Sequence, residues 1–420
     1  MFFYNMHKCW LVCTNRHFLY QFIKTAFITM KKISHIAHHC QLPIAFRHFS
    51  FLLAFTLLCS LAACGDAAPK DKSVTTAPPT VQKDTTPKQG ELKPAGPKPD
   101  WAPSITPQMQ TVIEKMMSFN APPIPQQTAQ EARKNPTPTD AVMALIKEKN
   151  IIVPPSMVDT MGKNIPVKGG NIHLRVYTPK TGSAPFPVIV YYHGGGWVIG
   201  SPDVYDASAR GLSEQVGAVV VAVAYRKAPE FKFPTAHNDS YAAYEWVLKN
   251  AASIQGDPKR VAVVGESAGG NLAASVSMMA RDKKVMLPLH EVLIYPIASY
   301  EMNTPSYTQY AAAKPLGKPM MDWFFDKYLP NKAAGNNPMI SLVKANLKGM
   351  PPTTIIVAEI DPLQSDGQML ADKLKEAGVA VMVRKYDGVT HEFFGMAAVL
   401  PQAKDAQALA AGELKKAFGK

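Results

Sequence analysis

Ser267 is the residue around which the rest of the chain is read. It sits in Gly265-Glu266-Ser267-Ala268-Gly269-Gly270, between an apolar run at 261–264 and a helix-suited stretch at 271–280. The small, mostly β-branched residues of the run suit a strand covered on both faces. A Gly-x-Ser-x-Gly joint between such a strand and a helix has the form of a nucleophile elbow. The turn is so tight that only residues without bulk fit beside the serine. It would lift the Ser267 hydroxyl clear of the sheet and close to the first N–H groups of the helix, where acyl transfer needs its nucleophile. By itself the pattern equally describes a glycine-rich loop with a surface serine, so its partners decide.

A serine hydroxyl attacks efficiently only when a base takes its proton. Beyond residue 63 the chain holds five histidines: His173, His193, His237, His290 and His391. In a strand-turn-helix setting the order along the chain is serine, acid, histidine, which leaves His290 and His391. His290 abuts an apolar strand run and reads as structural. His391 sits in Asp387-Gly388-Val389-Thr390-His391-Glu392-Phe393, a glycine-marked loop after the last strand run, and is the expected base. The acid should close the preceding strand. Asp361 does so, and Pro362 fixes the turn that aims it; Glu359 and Asp366 are the alternatives. Its task is to hold the imidazole tautomer and stabilise the imidazolium. Preorganised N–H groups must also face the developing negative charge. One is expected from Ala268, the others from His193-Gly194-Gly195-Gly196-Trp197, where three glycines let the backbone approach a substrate. Glu266 either tunes the elbow or is a solvated or paired carboxylate.

The elements that must position these residues alternate. Strand signals run over 172–177, 187–192, 218–225, 261–264, 291–295, 353–358 and 379–386. Helical spacing occupies 206–216, 236–250, 271–280, 366–377 and 403–418. Alternation at this spacing predicts an α/β fold: a mostly parallel, doubly wound sheet with helices on both faces. Two further helical stretches, 106–119 and 139–150, precede the sheet and are separated by Pro122, Pro123 and Pro125. They read as surface helices or as part of a helical cap. Residues 302–329 interrupt the alternation and are a candidate cap insertion.

The N-terminal region has another character. All five cysteines (Cys9, Cys13, Cys40, Cys59, Cys64) lie in the first 64 positions, so the remainder has no disulfide framework. Residues 1–63 carry six basic and no acidic side chains, and their removal would take the formal charge from +13 to +7. No basic block with interleaved aromatics remains to indicate nucleic-acid binding. The apolar run 49–63 is about 15 residues long, short for a bilayer span and laid out like a signal peptide. Leu61-Ala62-Ala63-Cys64-Gly65 resembles the lipobox of bacterial lipoproteins. That resemblance implies a lipidated Cys64, removal of 1–63, and attachment to a membrane surface of the cell envelope. Gly65 after the cysteine leans towards the outer membrane. Met30-Lys31-Lys32 has the form of a more typical start, which marks 1–29 as a candidate mis-assigned start. Residues 64–100, rich in Pro, Lys and Thr, read as a disordered tether reaching on the order of 100 Å if polyproline-like. Residues 101–420 then form one catalytic domain, ample for a large core.

Taken together, HGGGW at 193–197, YRKAPEFKFP at 225–234, GESAGG at 265–270, DPLQSDG at 361–367 and VTHEF at 389–393 resemble the hormone-sensitive-lipase-type esterases of the α/β-hydrolase superfamily. The resemblance covers roughly 101–420. It implies a carboxylesterase acting on short to medium acyl esters. Ser267 would be nucleophile, Asp361 acid and His391 base, with the N–H groups of Gly194, Gly195 and Ala268 as oxyanion hole. The segment 225–234 is structural in that family. Gln364-Ser365 and Glu392 depart from the commoner pattern without touching the triad. No metal or organic cofactor is expected, and the partner is a small-molecule ester. The same machinery would serve an amide deacetylase or an acyltransferase. A hydrolase-like binding module is the third reading, disfavoured by an intact set of Ser267, Asp361 and His391.

Overall fold

The computed structural model describes residues 90–420. The signal-peptide reading, the lipidation site at Cys64 and the tether up to residue 89 lie outside the described residues. The end of the expected tether differs from expectation. Leu92 is buried, and the N–H groups of Ala95 and Gly96 donate to the Glu114 carboxylate at 2.6 and 3.1 Å. Gln110 donates to the carbonyls of Gly96 and Pro97, both at 2.9 Å. One apolar anchor and a satisfied backbone are enough to order residues whose composition alone reads as disordered.

Eight strands form one sheet: β1 (Val158–Val167), β2 (Gly170–Pro179), β3 (Phe186–Tyr192), β4 (Val219–Ala224), β5 (Gly256–Glu266), β6 (Glu291–Ile294), β7 (Thr353–Ile360) and β8 (Val381–Thr390). Their order is β1-β2-β4-β3-β5-β6-β7-β8. The run from β4 through β3 to β8 is parallel; β1 and β2 add an antiparallel edge. The sheet is therefore the mostly parallel α/β-hydrolase sheet, with one strand more than the sequence shows. β1 is an exposed edge strand whose side chains mostly face water, so it needs no apolar alternation.

Alternate residues of the central strands feed two cores. Val188, Val190, Val261, Val263, Ile355 and Val357 point to one face, where α5 (Thr235–Asn250), α6 (Ala268–Asp282) and α9 (Gln364–Glu376) pack. Ile189, Tyr191, Ala262, Val264, Ile356 and Ala358 point to the other. That face is covered by α1 (Pro107–Met117), α3 (Pro138–Glu148), α4 (Asp206–Val216) and α10 (Pro401–Ala417). A period of two with both faces apolar is what a strand buried on both sides requires. The short helices α2 (Ala129–Ala132) and α7 (Pro305–Gln309), with α8 (Lys318–Tyr328), belong to the two segments outside the β/α alternation.

Candidate active site

Ser267 follows β5 and caps α6, with φ 56° and ψ −119°. This is a strained conformation for a residue with a Cβ. The neighbours show what imposes it. A Cβ on Gly265 would strike the Gly269 carbonyl, and one on Gly269 would strike the Tyr192 carbonyl at the end of β3. Helix and strands thus meet backbone to backbone, and the chain has no room for a gentler turn. The Ser267 N–H donates to the Ile294 carbonyl at 2.8 Å, which ties the elbow to the end of β6.

Asp361 and His391 are brought together by strand register. Ile360 of β7 pairs with Thr390 of β8, so the next residue on each strand emerges at the same sheet edge. Asp361 Oδ2 lies 2.6 Å from His391 Nδ1, and Asp361 Oδ1 accepts the Leu363 N–H at 2.9 Å. Asp361 is 0% exposed, His391 3% and Ser267 4%. His391 does not sit within a loop, as the sequence suggests; β8 continues to Thr390 and delivers it directly. The alternative acids are engaged elsewhere. Glu359 accepts the Gly388 N–H at 2.6 Å, and Asp366 accepts those of Ala298 and Ser299, both at 2.9 Å. His290 contacts the Thr354 hydroxyl at 2.9 Å, a structural contact.

Ser267 and His391 share the wall of a cavity of about 1020 Å³. Its floor also includes Gly195 and Gly196, and its roof is apolar, with Met116, Ile124, Leu316, Met320 and Phe324. The roof draws on both segments that the sequence sets aside as candidate cap: residues 101–138 and 311–324 contribute to it. A Cβ on Gly194 would meet the Tyr205 side chain, which itself lines this cavity, and the Glu266 carbonyl. Gly195 and Gly196 have φ 98° and 58°, and the N–H groups of Gly194, Gly195 and Gly196 alike find no acceptor among the described residues. The Ala268 N–H opens α6, where helical N–H groups are unsatisfied within the helix. Sequence reasoning missed Tyr205, which lines the same cavity.

The expected structural segment clamps this loop from behind. The Tyr225 hydroxyl donates to the His193 carbonyl at 2.9 Å, and Ala228 N–H donates to the Trp197 carbonyl at 3.0 Å. Arg226 pairs with the buried Asp239 at 2.7 Å. His193 contacts the Gly194 carbonyl through Nδ1 at 2.7 Å and stacks on Tyr225.

The electrostatics single out one histidine. Burial pushes His193 down to about 3, and His237 and His290 each down to about 4. Burial also acts against a charge on His391, but the Asp361 carboxylate, by charge and hydrogen bond, outweighs it and leaves the imidazole above its ordinary value. Glu392 and Glu266 act in the same direction. Glu266 is fully buried and is pushed up to about 7, chiefly by desolvation and then by Glu392; the hydroxyls of Tyr191 and Tyr295 donate to it. Glu266 is therefore a paired structural carboxylate under the elbow. Among the described residues no group of three or more His, Cys, Asp or Glu side chains is placed to hold a metal ion.

This arrangement has known counterparts. A family model described as the alpha/beta hydrolase fold matches residues 189–395. The carboxylesterase NlhH of Mycobacterium tuberculosis is 38% identical over 252 residues, 59% of this chain and 79% of that protein. An ethyl acetate hydrolase of Pseudomonas putida is 32% identical over 66% of this chain and 86% of its own. The crystal structure of a thermostable esterase from Pseudomonas putida superimposes with a TM-score of 0.69 at 32% identity, covering 76% of this chain and 98% of that one. A hyperthermophilic esterase of the archaeon Pyrobaculum calidifontis gives 0.67 at 34% identity, over 74% and 98%. The chain belongs to the hormone-sensitive-lipase-type family of α/β-hydrolase esterases, and it is a carboxylesterase.

Proposed function

We propose that this family member cleaves small-molecule esters through an acyl-enzyme on Ser267, with His391 as base and Asp361 as the acid that orients it. The observation that carries the reading is the Asp361–His391 pair at 2.6 Å, with His391 and Ser267 on one cavity wall. His391 Nε2 takes the Ser267 proton as the hydroxyl oxygen bonds to the ester carbonyl carbon. Nε2 then returns that proton to the departing alcohol oxygen as the ester C–O bond breaks. Water repeats the sequence on the acyl-enzyme, releasing the carboxylic acid and restoring Ser267. The N–H groups of Gly194, Gly195 and Ala268 hold the oxyanion; the glycine loop leaves its N–H groups without acceptors among the described residues. A largely apolar cavity of about 1020 Å³ suits short to medium acyl chains, and the ethyl acetate hydrolase among the relatives supports the small end of that range.

A fluorophosphonate probe should label the wild-type protein at Ser267 and leave Ser267→Ala unlabelled, with ester hydrolysis lost in parallel. Equal labelling of the two would overturn the reading. The lipobox-like sequence at 61–65 further supports attachment of this esterase to an envelope membrane through Cys64. The full chain should then partition into a detergent phase and Cys64→Ser into the aqueous phase; identical partitioning would remove the anchor.

A further inference from the structure

The catalytic end of the cavity holds a carboxylate that the chemistry above leaves unused. Glu392 directly follows His391, has φ 70°, and keeps 19% of its side chain exposed, on the cavity wall. Its Oε1 accepts from the Tyr205 hydroxyl at 2.6 Å and stands 3.9 Å from His391 Nε2. Among the described residues, no donor is bonded to its second oxygen. Tyr205 is itself buried, lines the same wall, and lies 5.8 Å from the His193 ring, centroid to centroid, in a stacked arrangement. The carboxylate is therefore held in place rather than free to swing into solvent.

We propose that Glu392, held by Tyr205, forms a subsite for the alcohol half of the ester and selects alcohols that carry a cationic group. The proposal rests on the reading of Ser267 and His391 given above. It follows from where the proton goes. His391 Nε2 protonates the leaving oxygen, so that oxygen must come within hydrogen-bond reach of Nε2. The carbons attached to it then run past a carboxylate 3.9 Å from the same nitrogen. While His391 is neutral, Glu392 has no cation beside it. A partly buried carboxylate without a counter-charge is costly, and a substrate cation supplies one.

The surroundings agree in sign. The charged groups behind Glu392 at this end are Asp361 after β7 and Glu266 at the end of β5, and the nearby phenols are Tyr191, Tyr205 and Tyr295. The cationic side chains on the cavity wall, Lys314 and Lys318, belong to the cap, where Asp322 accompanies them. Burial, with Asp361 adding, raises the Glu392 carboxyl above its ordinary value, while His391 and the Tyr205 hydroxyl oppose the rise. The selection should accordingly weaken as acid protonates Glu392.

The test compares two esters of one shape. Trimethylammonioethyl butyrate carries a fixed charge; neohexyl butyrate has carbon in place of the nitrogen. Their kcat/KM ratio is measured near pH 7 for the wild type and for Glu392→Gln, which keeps the shape and the acceptor for Tyr205. The ratio should favour the charged ester in the wild type and fall by about tenfold in Glu392→Gln. In the wild type alone the ratio should also fall as pH is lowered, because loss of the His391 base affects both esters and cancels. This second measurement stands even if the variant does not fold. A ratio equal in both proteins, or constant with pH, overturns the subsite. If the folded wild type hydrolyses neither ester, the mechanism itself fails instead.

Discussion

The rim of the sheet takes Asp361 and His391 from residues that directly follow a paired strand end, and Ser267 from the elbow after β5. The cap takes its cavity wall from two stretches, 101–138 and 311–324, that contain no strand. At the rim, position is set by hydrogen-bond register, and a slip of one residue would turn Asp361 or His391 to the other face. In the cap, position is set by apolar packing of Met116, Ile124, Leu316, Met320 and Phe324, which tolerates changes of shape at small cost. The rim should therefore respond to substitution with loss of rate, and the cap with changed preference.

The sharpest version of this contrast is Ser267→Ala. It should lower kcat by roughly 10⁵- to 10⁶-fold while leaving substrate affinity nearly unchanged, since the apolar cap still binds. Isothermal titration with a slowly hydrolysed ester would read both quantities. Loss of binding together with rate would break the separation.

Asp361→Asn comes next, with a loss of about 10⁴-fold in kcat. It also tests the electrostatics. The base must be neutral, and Asp361 leads the groups that hold the His391 imidazole up against burial. The wild-type kcat/KM should thus rise with pH to a half-maximum above His391's ordinary value near 6.5. In Asp361→Asn the burial effect gains ground and that midpoint should move to lower pH. A midpoint that stays put would assign the acid limb to another group, Glu266 first, since it is pushed up to about 7.

How much of this the amino-acid sequence discloses follows the same division. Strands β3 and β4, and the stretches 261–264 of β5 and 355–358 of β7, are legible because both their faces are buried and their residues are apolar. β1 is not, because an edge strand reading Val-Asp-Thr-Met-Gly-Lys-Asn-Ile-Pro-Val satisfies its backbone on β2 and leaves its side chains in water. At the site, residue type and chain order nominate Ser267, Asp361 and His391. That Asp361 rather than Glu359 or Asp366 stands against His391 depends on the pairing of Ile360 with Thr390, which no local signal encodes. The same holds for Tyr205 and Glu392, bonded across 187 positions. Gly194 and Gly196 are identical in type, and only the packing of Tyr205 and Phe324 separates their places.

Gly196 is where the two regions touch. A Cβ there would enter the Phe324 ring of α8, and its φ of 58° already favours glycine. Gly196→Ala should therefore displace both the oxyanion-hole backbone and the cap, with a loss of about 10²-fold in kcat. Phe324→Ala added to it should recover part of that loss, because the clash is with the ring. Steady-state kinetics of the two single variants and the double variant measure the coupling. Strict additivity would mean that rim and cap are independent even at their contact.

The smallest effect is expected deepest in the cap. Met320 is half-buried on α8 and lines the cavity. Met320→Trp should take up cavity volume without disturbing the rim. The longest acyl esters should lose about tenfold in kcat/KM, since each excluded methylene forfeits roughly 0.8 kcal/mol of burial, and short ones should lose much less. A series of aryl esters of rising chain length reads this as a shift of the optimum to shorter chains. If short and long esters lost rate equally, α8 would be acting on the chemistry through Phe324 and Gly196, and the cap would share the rim's sensitivity.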